Sequence, residues 1–107
     1  MAVAILGTGQ WGTSLAQVLV DAGNEVVLWG RNADVVREIQ EKHSNSRALP
    51  DVKLPDSITA TSEIQVALAQ AGAVVIAVPT QSLRENLENW RSFFPTHVPI
   101  ISAMKGI

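Results

Sequence analysis

Three observations in the sequence predict an α/β fold: an open parallel sheet covered by helices on both faces. Short apolar runs alternate with segments of helical periodicity along the whole chain. The runs at residues 2–6 and 73–78 are continuous rather than alternating, the pattern of strands buried on both faces. The first run also leads straight into Gly7-Thr8-Gly9-Gln10-Trp11-Gly12, a glycine-spaced turn ahead of a helical pattern.

The elements follow in order. Ala2 to Leu6 reads as the first strand, closed by Gly7. Trp11 to Ala22 reads as a helix with Leu15, Ala16, Val18 and Leu19 as its apolar stripe, and Gly23 stands just past its end. Glu25 to Trp29, β-branched and apolar, is the second strand and ends in the turn-prone Gly30-Arg31-Asn32. Ala33 to His43 is a second helix through Val35, Val36 and Ile39, and Asp34 is its expected cap. It gives way to Ser44-Asn45-Ser46-Arg47, and residues 48–57, with Leu49-Pro50 and Leu54-Pro55, are expected to form an ordered loop.

Ile58 to Thr61 suits a short outer strand. Ser62 and Gln65 form a capping box for a helix reaching Gln70, with Gly72 as its stop. Ala73 to Val78 is the fourth strand, ended by Pro79, in the middle of the sheet. Thr80 caps a helix whose Leu83, Leu87, Trp90 and Phe94 make an apolar stripe, and Val98 to Ser102 is the fifth strand. The expected topology is a Rossmann-type doubly wound parallel sheet in the order 3-2-1-4-5, with residues 1–107 as one NAD(P)-binding domain.

Composition narrows the function classes. Apolar residues make up 47% and charged residues 17% of the 107-residue chain, which is the balance of a globular domain. The formal net charge is -2 and the eight Lys and Arg are scattered, so nucleic acid is not expected as a partner. The absence of cysteine removes disulfides and thiol catalysis. The apolar start meets Gly7 too soon for a secretory signal, and no apolar stretch nears the roughly 18 residues of a membrane span.

Residue chemistry points to a dinucleotide. Gly7 permits a tight turn, Gly9 lets a pyrophosphate approach the backbone, and Gly12 lets the helix pack close to the first strand. The helix N-terminus beyond them presents unpaired N–H groups to a diphosphate. A carboxylate at the end of the second strand would bind a ribose and repel a 2′-phosphate. This chain has Gly30, Arg31 and Asn32 there, so NADP is favoured over NAD, against the alternative that Arg31 is an ordinary solvated arginine. Pro79 and Lys105 fall at the carboxyl ends of strands four and five, where ligands of open α/β sheets bind, although a strand stop and a loop lysine are the plainer readings. Trp11 either covers the cofactor or packs its helix, whereas Trp29 and Trp90 are assigned to the core. His43 and His97 carry no assigned role, and no metal site or nucleophile–base pair stands out.

With these motifs in order, the sequence resembles the amino-terminal domain of bacterial-type NAD(P)-dependent glycerol-3-phosphate dehydrogenases. The resemblance rests on residues 7–13, on Leu28-Trp29-Gly30-Arg31-Asn32, on the two Leu-Pro steps, on residues 77–84 and on Lys105-Gly106-Ile107. It implies hydride transfer between NAD(P)H and dihydroxyacetone phosphate, giving sn-glycerol 3-phosphate for phospholipid synthesis in the cytoplasm. It also implies coenzyme contacts at Gln10, Trp11, Arg31 and Lys105, a substrate contact at Lys105, and a catalytic lysine in a helical second domain absent here. The full-length protein is expected to be a homodimer, and this piece alone is expected to be inactive. Gln10 stands where the family often has serine, and Ala48 where an aromatic often precedes Leu-Pro.

Three other classes compete. A nonenzymatic dinucleotide sensor would function as a free-standing domain. An S-adenosylmethionine-dependent methyltransferase would need an acid after the second strand. Another NADP-dependent dehydrogenase would share this coenzyme half. The edge of the fifth strand is further expected to drive concentration-dependent self-association.

Overall fold

The computed structural model describes residues 1–78 and 80–103, with the backbone alone for Thr80 and Ser82. β1 (Ala2–Leu6), α1 (Gln10–Asp21) and β2 (Glu25–Trp29) form a βαβ unit. α2 (Ala33–Lys42), β3 (Ser44–Asn45), β4 (Leu49–Lys53) and β5 (Ile58–Thr61) follow. α3 (Ile64–Leu68), β6 (Ala73–Ile76), α4 (Thr80–Arg91) and β7 (Ile100–Ser102) complete the order.

Five strands pair in parallel in the order β5-β2-β1-β6-β7. The numbers differ from the expected 3-2-1-4-5 because two short strands, β3 and β4, come between β2 and β5 where the sequence predicts none. β3 and β4 pair antiparallel outside the main sheet, Ser44 opposite Lys53 and Asn45 opposite Leu49. A two-residue strand shows no alternation, and Leu-Pro, read as a loop signal, restrains Leu49 to the extended conformation that an edge strand also uses.

Period-2 alternation along β1 sorts the core into two layers. Val3 and Ile5 face one side with Ala16 of α1 and Val35 and Ile39 of α2. Ala4 and Leu6 face the other with Ala67 and Leu68 of α3 and Trp90 of α4. Helices therefore cover both faces, and the Trp29 and Trp90 rings meet edge to face at 5.0 Å.

Several local expectations are corrected. Val18 is 62% exposed. Two residues beyond buried Ala16, it points to the far side of a helix with 3.6 residues per turn. Leu87 is likewise exposed, at the margin of the stripe made by Leu83, Trp90 and Phe94. Asn32 rather than Asp34 caps α2, its Oδ1 accepting from the N–H groups of Asp34 at 2.9 Å and Val35 at 3.3 Å. The Ser62–Gln65 capping box does not form. Glu63 is the cap residue of the short α3, and its N–H donates to Thr61 Oγ1 at 3.0 Å. α3 stops at Leu68 rather than Gln70, α4 starts at Thr80 itself, β6 stops at Ile76 and β7 begins at Ile100.

Gly23 closes α1 as expected. At a φ of 93° it donates to Val20 O, and Asn24 donates to Leu19 O, the paired bonds of a Schellman turn. Among the described residues, no helix is long and apolar enough to cross a membrane.

Candidate functional site

The site grows out of the turn between β1 and α1. Gly7 sits at a φ of 137°, a region closed to most side chains, and a Cβ there would come within 2.7 Å of the Ala77 carbonyl oxygen. A Cβ on Gly12 would collide with the Gly7 carbonyl. Both glycines are therefore demanded by the close approach of turn, helix and β6. Gly9 differs: its φ is -73°, and a Cβ there would meet nothing within 4 Å.

Gly9 is also the cap position of α1 and supplies no side-chain oxygen to the first turn. The leading N–H groups of a helix have no acceptor within it, so this end presents donors and the positive pole of the helix dipole to whatever lies in front. In front lies a cleft of about 430 Å³ at the carboxyl ends of β1, β2 and β6. It opens where the chain crosses from the β2 side of β1 to the β6 side, the switch point at which open α/β sheets bind ligands.

Of the residues singled out from sequence, Gly7, Gly9, Gln10, Trp11, Arg31 and Asn32 line this cleft. Gly12 lies behind the turn as a packing residue. Pro79 and Lys105 lie outside the described residues. Trp11 is half exposed at the rim, whereas Trp29 is buried and donates from Nε1 to the Ser62 carbonyl at 3.1 Å. The Asn32 side-chain oxygen is taken up by capping α2. Arg31 is 64% exposed and reaches Glu85 of α4, Nη1 to Oε2 at 3.5 Å.

Other roles are not marked in the sequence. Gly30 makes room for Thr8: a Cβ there would lie 2.6 Å from the Thr8 methyl. Asn45, fully buried in β3, donates from Nδ2 to the Thr8 carbonyl at 2.7 Å and to Thr13 Oγ1 at 3.0 Å. The Thr13 hydroxyl in turn donates to the Thr8 carbonyl at 3.3 Å. Glu38 of α2 braces the hairpin, accepting from Ser44 Oγ at 2.7 Å and from Ser46 N at 2.9 Å and Oγ at 3.1 Å. The Ser44 hydroxyl, followed by the Ser46 N–H, holds the Glu38 carboxyl below its ordinary pKa by bonding its charged form. No signal in Ser44-Asn45-Ser46-Arg47 marks Asn45, whose partners lie 37 and 32 residues away.

The arrangement is a donor-lined cleft with an arginine at one end and a tryptophan at its rim, suited to a polyanionic ligand with a flat ring system. Residues 2–107 match the family model described as NAD-dependent glycerol-3-phosphate dehydrogenase N-terminus. A glycerol-3-phosphate dehydrogenase [NAD(P)+] of Corynebacterium jeikeium is 47% identical over 105 residues, 98% of this chain and 32% of that protein. A second such enzyme, of Mycobacterium bovis, is 46% identical over 98% of this chain and 31% of its own length. The crystal structure of glycerol-3-phosphate dehydrogenase from Coxiella burnetii superimposes with a TM-score of 0.91 at 32% identity, over 99% of this chain and 33% of that one. The chain spans about a third of the length of these relatives. It belongs to the NAD-dependent glycerol-3-phosphate dehydrogenase N-terminus family.

Proposed function

We propose that the chain binds a nicotinamide dinucleotide in this cleft and is the coenzyme-binding domain, residues 1–107, of a cytoplasmic, homodimeric glycerol-3-phosphate dehydrogenase. The observation that carries the reading is Gly9. Its lack of a side chain is unexplained by the packing of the protein and leaves open space before the α1 N-terminus, as a bound diphosphate requires.

A nicotinamide coenzyme held in the cleft would supply hydride-transfer chemistry, the reduction of the dihydroxyacetone phosphate carbonyl to the alcohol of sn-glycerol 3-phosphate with uptake of one proton. The residues of this chain bind and orient. The first-turn N–H groups of α1, with Gln10 and Trp11, hold the diphosphate and its flanks. Gly7 and Gly12 shape the turn, and Asn32 caps α2 and so fixes the bend that carries Arg31. An exposed guanidinium where a carboxylate would exclude it supports a preference for the 2′-phosphate of NADP, with NAD as the weaker ligand. Pro79 and Lys105 are assigned to the carboxyl rim, Lys105 to both coenzyme and substrate. The remaining catalytic groups belong to a helical second domain of the full-length protein.

Calorimetric titration of the chain with NADPH, NADH and S-adenosylmethionine, repeated on Arg31→Ala, tests this. NADPH is expected to bind more tightly than NADH, with the preference lost in the variant and no binding of S-adenosylmethionine. A folded chain that takes up neither dinucleotide would overturn the reading.

A further inference from the structure

We propose that Asn45 is a positioning residue that sets the direction of the Gly9 N–H and thereby the diphosphate affinity of the glycine turn, an inference that rests on the coenzyme-binding reading above. Asn45 comes from the β3–β4 hairpin, outside the five-stranded sheet, yet it is fully buried against the turn. Its Nδ2 spends both hydrogens there, one on the Thr8 carbonyl and one on the Thr13 hydroxyl. The Thr13 hydroxyl passes its own hydrogen to the same carbonyl.

The Thr8 carbonyl belongs to the peptide plane whose other end is the Gly9 N–H. A trans peptide is rigid, and its C=O and N–H point in opposite directions. Two bonds that draw the Thr8 oxygen into the protein therefore turn the Gly9 N–H outward, and Gly9 is exposed and lines the cleft. Glycine has the widest conformational range of any residue, so without this anchor the plane is free to rotate. The Asn45 Oδ1, equally buried, takes no partner among the described residues, which makes the Nδ2 bonds the reason for an amide at this position. Glu38, bonded to Ser44 and Ser46 on either side, keeps Asn45 in register.

The test compares wild type with Asn45→Ala, using ADP-ribose, which carries the diphosphate, and 2′-AMP, which lacks it but presents a phosphate to Arg31. Amide hydrogen exchange of residues 8–13 is followed in the ligand-free chain. Expected are a loss of ADP-ribose affinity of about tenfold or more, a change in 2′-AMP affinity below about twofold, and faster exchange in the turn at Thr13, whose N–H donates to the Gly9 carbonyl. Equal losses for both ligands, or exchange in the turn as slow as in wild type, would overturn the proposal. If wild type binds neither ligand while exchange in the turn still depends on Asn45, the coenzyme reading fails and the anchoring survives; unchanged exchange sinks the anchoring alone. Should Asn45→Ala not fold, Asn45→Val, which fills more of the buried space and likewise removes both Nδ2 donors, is put through the same comparison with the same expected outcomes.

Discussion

The Arg31 guanidinium at the end of β2 lies 3.5 Å from the Glu85 carboxylate of α4, with both side chains more than half exposed. The pair joins the end of β2 to the helix that follows β6, and it occupies the charge proposed to receive a 2′-phosphate. A phosphate arriving there must displace the carboxylate or lie beside it, and like charges at that distance repel.

Glu85→Gln is accordingly expected to raise the affinity ratio of NADPH to NADH. Exposed pairs are worth about 1 kcal/mol or less, so the rise is limited to roughly fivefold. Calorimetry at low and high salt reads it, and the effect should shrink as salt screens the pair. A ratio that stays unchanged at low salt would mean that Glu85 has no influence on the choice.

The three turn glycines should separate by the kind of damage that alanine does. Gly7→Ala forces a side chain into a φ of 137° and against the Ala77 carbonyl, and Gly12→Ala drives one into the Gly7 carbonyl. Each is expected to cost more than about 1–2 kcal/mol of stability. Gly9→Ala meets no atom of the protein, so its unfolding free energy, read from urea denaturation, should stay within about 0.5 kcal/mol of wild type while dinucleotide affinity falls. Intact affinity in a folded Gly9→Ala chain would contradict the placement of the diphosphate.

Trp90 carries α4 onto the sheet through its edge-to-face contact with Trp29. Trp90→Ala is expected to cost about 3–5 kcal/mol, read from denaturant unfolding, and Trp90→Phe distinctly less.

Glu38 gives a pH signature. Its folded pKa lies below the ordinary carboxylate value of 4.5 because Ser44 and Ser46 bond the charged form. A depressed folded pKa means that this stabilisation is fully present above the unfolded value and is lost as pH falls through the folded one. Wild type and Glu38→Gln should therefore differ in unfolding midpoint near neutral pH and converge as the solution is acidified below the ordinary carboxylate value.

β7 ends the sheet order and exposes Ile100 and Ile101. Sedimentation at rising concentration is expected to show self-association that Ile101→Lys reduces, since a charge on an edge strand opposes pairing.

The sequence by itself determined the fold class, the strand order within the main sheet and the place of the turn at residues 7–12. These depend on local properties: continuous apolar runs, helical periodicity and glycine spacing between a strand and a helix. It also marked Arg31 as the residue standing where a carboxylate is otherwise expected. Tertiary structure decided what local pattern does not encode. Val18 and Leu87 match an apolar stripe in the sequence but face solvent, because the width of a buried face depends on what packs over it. Asn32 rather than Asp34 caps α2, a choice set by backbone angles at the bend. The β3–β4 hairpin and the partners of Asn45 were invisible, because a two-residue strand has no period and its bonds close a gap of 37 residues. Likewise, only the packed structure separates the glycines required by neighbouring backbone, Gly7 and Gly12, from Gly9, which fronts open space. Periodicity along a chain reports which face of an element is apolar; distances between elements exist only once they are packed.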